Sequence, residues 1–390
     1  MTTTPDPTTA TAPAEGQGPA KAEIQIKLFA RTDVGQVREH NEDNFLVADL
    51  TKRTRGLQEA KDVVTVGKHG NLVAVCDGMG GAAAGEVASQ LAVDIIFEKM
   101  SEDLGDAPSE RNQIARRLVN AVEAAGLRIF EAAKSDRTRR GMGTTTTAAA
   151  LVDDHLFLAQ VGDSRGYILR NGVLVQVTRD QSLVNQLIEA GQLTEEEAET
   201  FEHNNIILQA LGTAETVQVD LTYVELRRGD ILMLCSDGLS GMVRNDEIRE
   251  VLKSTADPLE ACKTLTERAN LAGGHDNITV IVAQFDGEGV KPLAPDEEPL
   301  KYRKYILPEE PTDPARKAVP HTVPPTDGVA GAAEPTPQPA TASAPASWPA
   351  GSMEEERIEI PGTHVPAGVV VALVLGVIAL LGGTAFLLLR

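Results

Sequence analysis

Cysteine is scarce in this chain of 390 residues: Cys76, Cys235 and Cys262 are the full set, and they show no paired spacing. Two of them sit inside apolar runs, so reduced cysteines in the core of a cytosolic domain are expected, not a disulfide framework. Basic charge is also in short supply, with 36 Lys and Arg against 57 Asp and Glu and a net charge of −21. A nucleic-acid binder needs a basic stripe to displace counterions, so that partner class is set aside. No Gly-rich loop followed by Lys occurs, and nucleotide use is not indicated. Residues 1–22 are rich in Thr, Pro and Ala but lack the basic flank and apolar core of a secretory signal.

What is present is a set of acidic clusters, each beside an apolar run that reads as a buried strand. They are Glu42-Asp43, Asp77-Gly78 after Leu72-Val73-Ala74-Val75-Cys76, Asp237-Gly238 after Ile231–Ser236, and Asp276-Asn277. The expectation is that each lies where a strand ends. Carboxylates that converge at such ends repel one another unless a cation neutralises them. Hard oxygen donors without a His/Cys cluster suit magnesium or manganese, not zinc or copper. Asp77 is the natural bridge between two ions, because the following Gly78 turns tightly and exposes its carbonyl as a ligand. Asp237 and Asp276 are assigned to one ion and Glu42, with Asp43 beside it, to the other. Arg38, four residues before Glu42, offers a fork matched to two phosphate oxygens. Metal-assisted hydrolysis of a phosphate ester follows, by a water that two ions activate. Each piece alone is weak, since an isolated Asp-Gly is more often a turn. The weight lies in their order along one domain.

The chain divides into a disordered tail (1–22), a catalytic domain (23–286), a Pro-rich linker (287–364) and an apolar segment (365–389). That last segment carries no charge, and as a helix it would span roughly 36 Å at ~1.5 Å per residue. It is read as a transmembrane helix, giving a tail-anchored protein of the cell membrane with its domain in the cytoplasm. Lys301-Tyr302-Arg303-Lys304-Tyr305 is a basic, aromatic island in the linker. It is either a dock for anionic lipid or a solvated stretch.

Within the domain, Ile24–Val34 alternates as a strand, and residues 85–100 and 110–134 carry apolar residues at helical spacing. Strands follow at 144–152 and 156–161, with a hairpin over 167–177 turned by Asn171-Gly172. A helical pair over 181–200 breaks at Gly191. Strands at 217–226, 231–236 and 277–285 close the domain, with a helix over 258–271 before the last. Residues 45–72 contain a long insertion, read as an exposed hairpin. Successive strands without regular intervening helices favour antiparallel sheets, in a layered α+β sandwich.

The ordered motifs resemble the protein phosphatase 2C family, the metal-dependent Ser/Thr phosphatases, in its bacterial branch. The matching stretches are Thr32–Asp43, Val75–Gly81 leading to Gly85-Glu86, Gly141–Thr145, Val161–Arg165, Leu234–Leu239 and Gly274–Thr279. The resemblance implies a four-layer α-β-β-α sandwich with two central antiparallel sheets and metals in the cleft between them. It implies that Arg38 grips the substrate phosphate and that Asp77, Gly78, Asp237 and Asp276 bind two Mn2+ or Mg2+ ions. A third, weaker metal would use Asp163, shared with Asp237. Residues 182–211 correspond to the family's flap beside the cleft. The implied substrates are phosphoserine and phosphothreonine in proteins, with Ser/Thr kinases and their targets as partners. A non-catalytic, membrane-tethered phosphoprotein-binding scaffold is the alternative. Two departures concern the proton donor: Ala82 and Met79 stand where relatives carry a histidine. His40 and a metal-bound water remain as alternatives.

Overall fold

The computed structural model describes residues 23–308, apart from 58–62, 82–83, 200, 202 and 204. The expected tail, the linker beyond 308 and the expected span at 365–389 lie outside the described residues. Among the described residues no helix is long and apolar enough to cross a membrane.

Strands β1 (Gln25–Asp33), β2 (Asn44–Asp49), β3 (Thr54–Arg55), β4 (Val64–Thr65), β5 (Asn71–Cys76) and β6 (Gly78–Met79) open the domain. Helices α1 (Ala84–Ser101) and α2 (Arg111–Ser135) follow, then β7 (Gly143–Thr144), β8 (Thr146–Val152), β9 (His155–Val161), β10 (Arg165–Arg170) and β11 (Val173–Gln176). Short helices α3 (Leu183–Glu189) and α4 (Glu195–Glu199) interrupt the connection to β12 (Asp220–Glu225). After β13 (Ile231–Cys235) come α5 (Asp237–Ser240), α6 (Asn245–Ser254) and α7 (Pro258–Leu271), and β14 (Ile278–Asp286) is last.

The strands form two antiparallel sheets of six, ordered β11-β10-β13-β14-β1-β4 and β12-β9-β8-β5-β2-β3, with β6 and β7 pairing separately. Alternation explains why nearly every position in β5 is apolar: both faces are covered. Leu72, Ala74 and Cys76 face α1 and α2, whereas Val73 and Val75 enter the core between the sheets. In β14, Val280 and Val282 pack toward α7, and Ile281, Ala283 and Phe285 face the other sheet. The result is the four-layer α-β-β-α order.

Local signals set several boundaries. Asn171 and Gly172 both adopt positive φ (49° and 76°), as a tight two-residue hairpin turn requires. Asp257 caps α7 by accepting from the Leu259 N–H, with Pro258 in the first turn. Helices α5 and α6, between 236 and 258, are additional to the sequence reading. Ile248, Val251 and Leu252, buried on one face of α6, carry the spacing that marks it.

Two expectations need correction. The insertion at 45–72 is not a self-contained hairpin: β3 extends one sheet beside β2, whereas β4 joins the other beside β1. The chain also does not leave the domain at residue 287. Val290 is fully buried, Leu300 packs on the core between the sheets, and Tyr305 and Leu307 pack on the core under α1 and α2. Residues 301–305 therefore run along the domain, with the Tyr302 and Tyr305 rings half-buried and the basic side chains of Lys301, Arg303 and Lys304 exposed. Tyr305 meets Phe157 and Tyr223 edge-on at 5.0 and 5.3 Å.

Candidate metal centre

Antiparallel pairing gathers the acids at one edge of the sandwich. Cys76, the last residue of β5, stands opposite Asn44, the first of β2, so Asp77 and Glu42-Asp43 are neighbours. In the other sheet Cys235 pairs with Val280, and Asp33 with Ile278, which brings Asp237, Asp276 and the loop after β1 together. Two clusters thus follow their strands and two precede theirs. The expectation that all four end strands is corrected, because in an antiparallel sheet a start and an end share an edge. The Ser236 hydroxyl donates to Asp43 Oδ2 at 2.7 Å and joins the two sheets directly.

Asn277 positions the loop that carries Arg38 and Glu42. Its amide donates to the carbonyls of Val34 and His40, each at 2.9 Å, and its Oδ1 accepts from the Glu42 N–H at 2.8 Å. Gly35 supports this docking with φ +81°, and a Cβ there would lie 2.3 Å from the Asp276 carbonyl oxygen. Arg38, half of whose side chain is exposed, donates to Asp276 Oδ2 at 2.7 Å. Burial works against its charge, but the Asp276, Glu42 and Asp77 carboxylates outweigh that and raise its pKa.

Asp77 is fixed through its backbone. Its N–H donates to Thr145 Oγ1 (3.1 Å), and its carbonyl accepts from the Thr145 N–H and the Thr144 hydroxyl (2.8 Å each). Its carboxyl faces Asp43, Asp237 and Asp163, and desolvation followed by these like charges raises its pKa well above the usual range. Asp237, within hydrogen-bonding reach of Asp77, is raised by burial and by Asp276. Asp43 is pushed up to about 7 by burial, against hydrogen bonds from Thr279 and Ser236. Asp163 is also pushed up to about 7, by burial and then by Asp237 and Asp180. Burial raises Glu42 as well. A Cβ on Gly85 would lie 2.3 Å from Glu42 Oε2 and 2.9 Å from the Gly78 carbonyl carbon, so the start of α1 sits tight against both. Gly78 fits between the same partners: a Cβ there would be 2.3 Å from the Gly85 carbonyl oxygen and 2.5 Å from that of Glu42.

Asp163 sits in a turn, Gly162–Ser164, held from below. Gln160 Nε2 donates to the carbonyls of Gly162 (3.0 Å) and Ser164 (2.7 Å), and the Thr145 and Ser164 hydroxyls are 2.7 Å apart. Thr145 therefore links the Asp77 and Asp163 positions.

Whether these residues fit a divalent ion is tested by their oxygens. Asp43 Oδ1, Asp163 Oδ1 and Asp237 Oδ1 are buried without a hydrogen-bond partner. Buried carboxylate oxygens left bare are costly unless a cation takes them. Among the described residues no three His, Cys, Asp or Glu side chains close around one point as a finished ligand shell. The carboxyls are neighbours that repel, and the donor set is all oxygen, so it fits magnesium or manganese. Of the alternatives for a proton donor, His40 is exposed on the Arg38 loop, near Glu42. Met79 lies in β6, and Ala82 is outside the described residues. Asn277, Ser236, Thr145 and Gln160 were not singled out as site residues from the sequence. Asn277, Ser236 and Thr145 do lie inside the quoted motifs, but the groups they hold are distant in the sequence.

An all-oxygen acidic edge between two antiparallel sheets, with an arginine beside it, defines a metal-dependent phosphohydrolase. The protein phosphatase 2C family model matches residues 56–273, a stretch that excludes Arg38, Glu42, Asp43 and Asp276. The serine/threonine phosphatase stp of Listeria monocytogenes is 39% identical over 256 residues, 66% of this chain and 94% of that protein. The crystal structure of the Mycobacterium tuberculosis serine/threonine phosphatase PstP is similar at 36% identity and a TM-score of 0.57, covering 67% of this chain and 99% of that one. A structure of the PstP catalytic domain in complex with two manganese ions is similar at 36% identity and a TM-score of 0.55, with the same coverage. The chain belongs to the protein phosphatase 2C family. It is a protein-serine/threonine phosphatase of the metal-dependent kind.

Proposed function

We propose that this chain releases phosphate from phosphoserine and phosphothreonine at the acidic edge, with each acid in a distinct role. Asp77, the Gly78 carbonyl, Asp237 and Asp276 would hold two ions, supported by Glu42 and Asp43. Asp163 would share a third, weaker ion with Asp237. When bound, such ions lower the pKa of a water and neutralise phosphoryl oxygens. Arg38 binds the substrate phosphate, exchanging its Asp276 contact for phosphate oxygens through a half-exposed fork. Asn277 holds the Arg38 loop in register with the acids. The observation that carries this reading is the trio of bare, buried carboxylate oxygens on Asp43, Asp163 and Asp237.

The reading extends to place and partner. Residues 365–389 would span the cell membrane, with the domain in the cytoplasm acting on Ser/Thr kinases and their substrates in a signalling circuit. The apolar, uncharged composition of that segment supports it.

The test is phosphate release from a phosphothreonine peptide with manganese, with chelator, and with Asp237→Asn. Release that needs metal and disappears in the variant is expected, together with loss of the manganese-induced rise in melting temperature. Full activity in Asp237→Asn would remove the assigned site. Tight peptide binding without release by the metal-loaded parent would instead favour the scaffold.

A further inference from the structure

The segment 177–219, between β11 and β12, is bonded to the acidic edge at both ends. At its entry Gln181 exchanges two hydrogen bonds with Gly162, beside Asp163: its N–H to the Gly162 carbonyl at 2.8 Å, and the Gly162 N–H to its Oε1 at 3.0 Å. Near its exit Leu211 exchanges backbone bonds with Thr144 at 3.1 and 2.8 Å, next to the Thr145 that fixes Asp77. Between these roots stands a cavity of about 240 Å³, lined by Arg179, Ser182, Gln209, Gln218, Asp220 and, from far along the chain, Lys304.

Lys304 belongs to residues 287–308, which lie beyond the 56–273 matched to the family. This strap is anchored at several points along its length. Glu297 accepts from Arg227 Nε at 2.8 Å and from Arg170 Nη1 at 3.5 Å, and Arg170 is itself paired with the buried Asp230 at 2.6 Å. Further on, the strap runs along the edge strand β12, with the Tyr305 N–H donating to the Leu221 carbonyl at 2.7 Å and the Tyr223 N–H to that of Arg303 at 3.3 Å. There the Tyr302 hydroxyl donates to Asp220 Oδ2 at 2.6 Å, and Lys304 Nζ pairs with Asp220 Oδ1 at 3.3 Å. Asp220 is the first residue of β12, where the segment 177–219, which contains the expected flap at 182–211, rejoins the sheet, and it is only 7% exposed. Both oxygens of this carboxylate are thus held by the strap.

We propose that Tyr302 and Lys304 are positioning residues for protein substrates: by clamping Asp220 they fix the exit of the flap and so set how it meets the substrate chain. The proposal rests on the phosphatase reading. The clamp does not touch the acidic edge, and a small ester that occupies only that edge has no use for the flap. A phosphoprotein segment extends past it. Loosening the clamp therefore separates two substrates that share one chemistry. Burial and the Asp220 carboxylate hold the Tyr302 phenol pKa up, so it remains a donor throughout the neutral range.

The experiment uses the full chain and Tyr302→Phe, which removes one hydroxyl and leaves the ring packed, with Lys304→Met and Lys304→Arg beside it. KM for a phosphothreonine peptide is expected to rise roughly three- to tenfold in Tyr302→Phe and Lys304→Met, less than the full effect of a lost bond to a charged group because the clamp reaches the substrate only through the segment it holds. kcat for p-nitrophenyl phosphate should stay within about twofold of the parent, and Lys304→Arg should restore the peptide KM. Amide exchange across 181–219 should speed up in Tyr302→Phe. Unchanged peptide KM, or parallel losses on both substrates, would overturn the clamp and leave the strap as a stabiliser only. If the parent hydrolyses neither substrate, the phosphatase reading fails on its own. The exchange measurement then decides the clamp, and unaltered exchange rejects it.

Discussion

Removing metal should give this domain an inverted pH profile of stability. Asp43 and Asp163 are both held near 7 against an ordinary 3.8. For a carboxyl whose folded pKa is raised, folded and unfolded forms are both protonated below about 4, and nothing is lost there. Between about 4 and 7 the unfolded chain ionises while the folded one resists, so stability falls as pH rises, and above 7 the full penalty stands. A shift of about 3 units corresponds to about 4 kcal/mol per group. Both groups are raised in part by the same Asp237 charge, so the two amounts do not simply add, and about 4 kcal/mol serves for the pair. Against a typical 5–15 kcal/mol that is a large fraction, equivalent to a drop of roughly 10 °C in melting temperature. His69 opposes it: burial lowers its pKa, so its contribution to stability grows as pH rises through its titration range. The assay is thermal melting at pH 5, 6, 7 and 8, in chelator and in manganese. In chelator the melting temperature should fall across the series. In manganese it should be flat or rise, because the ions require the ionised carboxylates. Asp163→Asn and Asp43→Asn should each flatten the chelator curve and isolate the acids from His69. A melting temperature in chelator that rises with pH, or runs parallel to the manganese curve, would refute the reasoning.

Two further outcomes are expected. Arg38→Ala should raise KM for a phosphopeptide by roughly 10- to 100-fold, since a fork to a charged group is worth about 1.5–3 kcal/mol, with a smaller change in kcat. Steady-state kinetics check this, and an unchanged KM would remove the phosphate-gripping role. Asn277→Ala deletes three hydrogen bonds that tie the Arg38 loop to β14. Chemical denaturation should register a loss of about 3 kcal/mol, at about 1 kcal/mol per bond. Activity should fall with it, and a fully active, fully stable variant would show that the loop holds itself.

Much of this molecule is legible from local pattern. Continuous apolar runs locate β5 and β9, helical spacing locates α1 and α2, and Asn171-Gly172 announces its own turn. The acids were legible because their order along the chain is unusual, even where each alone is commonplace. What stayed hidden depends on contacts that no local pattern encodes. Asn277 looks like a companion of Asp276, yet its bonds reach residues 34, 40 and 42, more than 230 positions away. Ser236 precedes an acid it does not touch and braces Asp43 in the other sheet. The strap was hidden by its prolines. Pro292, Pro295 and Pro299 read as linker punctuation, although a chain kept extended by proline is well shaped to lie along a sheet edge.

The sheet order also carries a consequence for biosynthesis. Among the described residues β14 is the last strand made, yet it lies in the interior of its sheet, between β13 and β1. Until it inserts, the first strand synthesised has only the two-residue β4 beside it, and Asp276 has no fixed place relative to Asp77. The catalytic edge therefore comes into being in one late event, when residues from both extremes of the domain zip together. A ribosome-bound chain stopped before residue 278 would carry every one of these acids and no assembled site. Competence to cleave phosphate would then follow the insertion of β14, after the segment 177–219 has been made and before residues 287–308 dock along β12.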